Sequence, residues 1–354
     1  MTQEDANSQS LIGQSLGDGR FKIVKLLGEG GMGAVYLGEQ KLGASVRKVA
    51  IKTLHAHLSH DPKILARFQR ECETVAELQH PNTIAIFDFG KTDSGILYIV
   101  MEYAEGHSVA EDLEKNGPMQ PDRVEKILVQ VCGSLEEAHN HGIVHRDLKP
   151  DNVLLCERAG KHDWVEVLDF GIAKRGSEHD PNEQKLTQQG TVLGTPPYMS
   201  PEQFTGKPVD ARSDIYSLGV MSYEMLSGKM PFNGNTAWEW ASAHMTAQPS
   251  PIESTGPLGA RVPQAMRAAI TKALEKQPEN RFQNVKEFID AFAGEAPIAA
   301  AAPAAAGPPR AKTEIGAPLP MIAGAGFGAA PPSPQTTPGA GGGYGAAPAY
   351  GPPG

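Results

Sequence analysis

At 354 residues, 40% hydrophobic and 21% charged, the chain is long enough to bury a large core. A net charge of −9 argues against broad electrostatic binding to nucleic acid or to an anionic membrane. Cys72, Cys132 and Cys156 lie far apart, without paired or metal-ligand spacing, which fits reduced thiols in a cytoplasmic protein. The polar start MTQEDANSQS lacks the apolar run of a signal peptide, and no window approaches the ~20 apolar residues that span a bilayer.

Residues 1–20 read as a flexible polar segment. From Phe21 the runs FKIVKLL, AVYLGEQ and KVAIKTL are short, β-branched and separated by glycine-containing turns, which predicts strands. Asp61-Pro62 opens a stretch to about Gln79 in which Ile64, Leu65, Phe68, Cys72, Val75 and Ala76 recur at helical spacing. TIAIFDF and ILYIVMEY return to strand character. Beyond Gly106, helical periodicity dominates at 124–141, 215–227, 263–276 and 285–293, with a β-rich patch at 143–173. The expected fold is therefore α+β: a small β-rich part with one helix, then a larger, mainly helical part. From Ala296 to Gly354, Ala, Pro and Gly dominate and only Arg310, Lys312 and Glu314 are charged. Such a stretch buries too little apolar surface to offset ordering entropy, so a disordered tail is expected, serving as a tether or as a docking segment for a partner.

The chemistry-bearing motifs follow the same order. Gly28-Glu29-Gly30-Gly31-Met32-Gly33 sits between two strands, where glycines let backbone approach phosphates closely. A strand rather than a helix follows it, which counts against a dinucleotide-binding turn and an oxidoreductase. The strand Val49-Ala50-Ile51-Lys52 brings one ammonium toward a buried face, and Glu71, Glu73 and Glu77 on the next helix offer partners. His145-Arg146-Asp147-Leu148-Lys149-Pro150-Asp151-Asn152 and the later Asp169-Phe170-Gly171 supply a base, a cation and metal-binding oxygens. Those groups suit phosphoryl transfer, which needs alignment and charge neutralisation.

These motifs resemble the eukaryotic-type serine/threonine protein kinases, most nearly their bacterial Hanks-type members, over residues 21–293. The resemblance implies a bilobal protein kinase fold, with an N-lobe at 21–103 and a C-lobe at 107–293. It implies ATP bound along Leu27, Gly28, Glu29, Gly30, Gly31, Met32, Gly33, Ala34 and Val35, with Ala50 and Lys52 behind them. Met101 would be the gatekeeper, Glu102 to Ala104 the hinge, and Leu154 the floor under adenine. By the same match Asp147 is the catalytic base, Lys149 and Lys52 meet phosphates, Glu71 pairs with Lys52, and Asn152 and Asp169 hold Mg²⁺, or Mn²⁺. Asp214 would brace the catalytic loop and Arg281 would pair with Glu202; Ser200 stands where the family usually has Ala. Lys149 and Thr195 resemble the Ser/Thr branch, so the expected partners are protein substrates with Ser or Thr acceptors. Arg146 resembles kinases whose activation loop is ordered by phosphate, with Thr187 and Thr191 favoured over Ser177 as acceptors and a transient homodimer for autophosphorylation. The rival reading, an ATP-binding pseudokinase scaffold, would need loss of Lys52, Asp147, Asn152 or Asp169, and all are present.

Overall fold

The computed structural model describes residues 11–30, 33–54, 62–171, 195–252 and 261–295, with side chains omitted at 62–64 and 67. Residues 1–10 and 296–354 lie outside the described residues, as do Gly31, Met32, Ser177, Thr187 and Thr191.

Strand alternation builds the first lobe. Strands β1 (Ser15–Leu16), β2 (Phe21–Gly30), β3 (Gly33–Leu42), β4 (Ser45–Leu54), β5 (Ile86–Lys91) and β6 (Leu97–Glu102) form one antiparallel sheet in the order β1-β2-β3-β4-β6-β5. Because successive side chains point to opposite faces, Phe21, Ile23, Tyr36, Val49, Ile51, Tyr98 and Val100 gather on one side. Ala50, Leu54, Leu97, Ile99 and Met101 gather on the other, against Phe68 and Cys72 of helix α1 (Pro62–Ala76). Lys52 shares that second face, so β4 carries its ammonium toward the interior, as its sequence suggested.

Residues 11–20 correct the reading of a flexible lead-in. Leu11 and Leu16 are buried against Phe21, Ile23 and Tyr36. Gly13 N–H donates to Ile23 O and Ile23 N–H donates to Gln14 O, each at 2.9 Å, and Arg20 pairs with Asp88 at 2.6 Å. The outer face of the sheet is apolar, and this segment covers it. Isolated leucines in a polar run carry no period, which hides this from the sequence.

The second lobe centres on α3 (Pro121–Asn140) and α5 (Ala211–Ser227). Helix α5 is buried on nearly every side, and its Ser222 and Ser227 hydroxyls donate back to Leu218 O at 2.6 Å and Tyr223 O at 2.8 Å. Helices α7 (Gln264–Ala273) and α8 (Val285–Phe292) pack on it. Short helices α2 (Val109–Asn116), α4 (Pro201–Thr205) and α6 (Ala237–Thr246) escape the periodicity reading, and local capping starts each. Ser108 and Glu111 form a reciprocal capping box on α2, and Thr236 caps α6. A three-stranded sheet of β7 (Gly106–Ser108), β8 (Val153–Arg158) and β9 (Lys161–Val167) packs its Val153, Leu155, Val165 and Val167 into the same core.

Replacing Leu16 by Ala is expected to cost about 2 kcal/mol or more by urea denaturation, as for other buried leucines. An unchanged midpoint would restore the flexible segment.

Candidate active site

The site is built around a buried carboxylate on α5. Asp214 accepts hydrogen bonds from the backbone N–H of His145 at 2.8 Å and of Arg146 at 2.9 Å, and from His139 Nε2 at 2.8 Å. Burial pushes its carboxyl up, but His139 and the other donors more than offset this and hold it below the usual carboxylate range. The loop it grips is unusual: Arg146 has φ +64°, a left-handed conformation costly for a side chain with a Cβ. Asp214 supplies the bonds that keep it there.

His145 is fully buried and pushed below its ordinary pKa by desolvation. Its Nε2 donates to Leu168 O at 2.8 Å while Nδ1 accepts from Asp147 N–H at 3.3 Å, and its ring lies 4.9 Å from Phe170. Both ring nitrogens are occupied, so this histidine has a structural place rather than a free base.

Asp147 faces the cleft. Lys149 Nζ donates to Thr195 Oγ1 at 2.9 Å, and Thr195 Oγ1 donates to Asp147 Oδ1 at 3.2 Å. This relay orients one carboxylate oxygen and places a cation beside it. Asn152 Nδ2 donates to Asp147 O at 2.8 Å, which fixes the amide so that its oxygen turns the other way. Asp169, at φ +57°, meets Lys52 Nζ at 2.7 Å. Burial pushes the Asp169 carboxyl up, yet Lys52 outweighs it and keeps the group ionised. Gly171 has no room for a side chain, since a Cβ would come within 2.8 Å of His145 O.

One expectation is not met in this conformation. Among the described residues Lys52 forms its ion pair with Asp169 and not with Glu71. Glu71 is buried on α1 and lines a small cavity with Arg146, Phe170 and Gly171. The ammonium is taken by a carboxylate from beyond its own lobe, at the Asp169 turn.

The sequence profile of the protein kinase domain matches residues 21–291. The chain belongs to the protein kinase family. It is 41% identical over 270 residues to serine/threonine-protein kinase pkn3 of Myxococcus xanthus, covering 76% of this chain and 48% of that protein. It is 38% identical over 342 residues to serine/threonine-protein kinase PksC of Streptomyces coelicolor, covering 95% and 58% respectively. The chain thus spans less than two thirds of the length of either relative. Among solved structures, the Mycobacterium tuberculosis PknI kinase domain superposes with a TM-score of 0.62 at 27% identity, over 80% of this chain and 97% of that one.

The strand register places further residues of the expected cleft opposite one another. Val35 stands opposite Lys52, and Ala50 opposite Met101. Met101 and Ala50 are buried, Glu102, Ala104 and Leu154 are half-buried, and Leu27 is exposed. Gly28 and Gly30 have open space where a Cβ would stand, whereas a Cβ on Gly33 would strike Thr53 O. Glu29 and Ala34 are paired across the same hairpin. Thr195 joins the catalytic groups.

Arg281 and Glu202 form the expected pair, at 2.7 and 2.9 Å and almost fully buried. Sequence reasoning missed His139, whose only signal is a polar residue at a core position of α3, and the Tyr198–Glu224 contact at 2.6 Å. Among the described residues no helix is long and apolar enough to cross a membrane.

Two buried carboxylates, Glu202 and Asp214, sit below their ordinary values, because Arg281 and His139 respectively outweigh the opposing effect of burial. Their stabilisation is present above the unfolded-state values, near 4, and is lost as pH falls through the lower folded values. Stability by urea titration is therefore expected to hold from neutrality to about pH 5 and to fall steeply below about pH 4. Arg281→Ala strands Glu202 and is expected to cost about 3–5 kcal/mol. A variant of native stability would contradict the buried pair's role.

Proposed function

We propose that this chain is a serine/threonine protein kinase that transfers the γ-phosphoryl group of ATP to Ser or Thr hydroxyls of protein substrates. The observation that carries it is the Lys149–Thr195–Asp147 relay, which aims one carboxylate at an incoming hydroxyl and puts a cation beside it. The comparisons with serine/threonine-protein kinases support the same acceptor class.

The residues fit a metal-bound nucleotide. Asn152 with its amide oriented and Asp169 held ionised offer hard oxygen donors, which suit Mg²⁺ or Mn²⁺. When bound, the metal would neutralise phosphate charge. Lys52 would turn to the nucleotide phosphates, and Glu71 would then be its partner on α1. The hinge backbone at Glu102 and Ala104 would hold the adenine edge between Ala50 and Leu154, behind the Leu27–Val35 hairpin and beneath Met101. Asp147 would take the proton of the acceptor hydroxyl as its oxygen bonds phosphorus and the bridging bond to ADP breaks. Lys149 would stabilise charge on the transferred group. Arg146 would read phosphate on Thr187 or Thr191. Such an ATP-dependent enzyme works in the cytoplasm, with two copies meeting transiently for autophosphorylation.

With labelled ATP and Mg²⁺, the protein is expected to label a generic Ser/Thr-containing protein. Asp147→Asn should lower this by about 10²–10⁴-fold, the range for loss of a general base. Nucleotide binding without transfer in the wild-type chain, across metals and substrates, would favour the pseudokinase scaffold instead.

A further inference from the structure

Away from the cleft, the second lobe holds a cavity of about 230 Å³ between α5, α7 and the stretch that follows α6. One wall is legible in the sequence: Arg267, Ile270, Thr271 and Leu274 recur at helical spacing, so they share one face of α7 and its C-terminal cap. Ile270 and Leu274 are buried in the core with Tyr223 and Ile252, which gives the cavity an apolar floor. Pro249-Ser250-Pro251 forms the opposite wall. Two fixed proline φ angles stiffen that stretch, the Ser250 N–H donates to Pro231 O at 3.0 Å, and Ile252 anchors its end, so the wall stands off α7. Tyr223 lies on α5 about two and a half turns beyond Asp214, and no lining residue belongs to the expected nucleotide cleft.

One charged side chain lines this space. Arg267 is half-buried, and its backbone is already engaged: its N–H donates to Pro263 O at 3.1 Å and its C=O accepts from Thr271 Oγ1 at 2.9 Å. Among the described residues its guanidinium has no hydrogen bond or ion pair, whereas Arg123, Arg158, Arg212 and Arg281 of the same lobe each meet a carboxylate. A guanidinium presents a planar fork that matches a carboxylate. An apolar cavity of about 150 Å³ accepts a benzene ring, so this one has room for a ring with a short acidic arm. A preformed apolar cavity with one well-placed polar group is the general anatomy of a small-molecule site. We propose that this cavity binds a small single-ring aromatic carboxylate, with the ring on the floor between Ile270 and the prolines and the carboxylate on Arg267. The site is separate from phosphoryl transfer and does not rest on it.

The test titrates the full chain with phenylacetate at pH 7 and constant ionic strength, read by ligand-observed NMR. Saturable binding is expected with Kd on the order of 1 mM, the scale for a ligand of about ten heavy atoms. Acetate, which lacks the ring, and benzyl alcohol, which lacks the charge, are each expected to bind at least about tenfold more weakly. Arg267→Leu should weaken phenylacetate by a similar factor, and Thr271→Phe, which puts a ring into the same space from an exposed position, should abolish its binding. Saturating ATP with Mg²⁺ should leave the affinity unchanged. Displacement by ATP, acetate or benzyl alcohol binding as well as phenylacetate, or no saturable binding at all, overturns the inference. So does binding that survives either substitution in a folded variant, and the comparison among the three ligands on the wild-type chain decides the matter if a variant does not fold.

Discussion

Everything in the cleft depends on one buried carboxylate gripping a strained loop. Asp214 offers two oxygens and receives three donors, two of them successive backbone N–H groups at His145 and Arg146. A left-handed Arg146 does not hold itself, since the conformation costs on the order of 1–3 kcal/mol for a residue with a side chain. Charge-assisted hydrogen bonds to an ionised, water-excluded acceptor are strong enough to offset that. Asp214 in turn rides on α5, the most thoroughly buried helix of the second lobe, so the strain is carried by the core.

The placement of the loop decides what faces the cleft. With His145 turned inward and both its nitrogens engaged, Asp147 is the residue of this loop that meets the Thr195 hydroxyl. Thr195 then ties the stretch that leads into α4 to Asp147 and Lys149, so one hydroxyl links the carboxylate and the ammonium. Glu202 and Arg281 anchor the residues just beyond Thr195 in the same way, with a bidentate pair that also binds Ser213 at the start of α5.

Much of this could be read from the sequence because the chemistry is written in contiguous runs. The alternation in KVAIKTL gave both faces of β4 and the inward Lys52. HRDLKPDN and the DFG triplet gave the groups now found around Asp147. The partners of charged groups were less legible. Lys52 meets Asp169, more than a hundred residues on, rather than Glu71 on the next helix, a tertiary fact that spacing does not encode. Leu11 and Leu16 cover a sheet face that becomes apolar only once β2, β3 and β4 are paired. His139 and Tyr198 look ordinary in sequence, and their meaning appears only when Asp214 and Glu224 arrive from α5.

The central claim is that Asp214 acts through the loop and not through the nucleotide. The direct test is Asp214→Asn, with kcat and ATP affinity measured on the same preparation. The amide keeps an acceptor oxygen but loses the charge, so kcat is expected to fall about a hundredfold or more while ATP still binds within a few-fold of wild type. Full turnover with Asp214 neutralised would contradict the account.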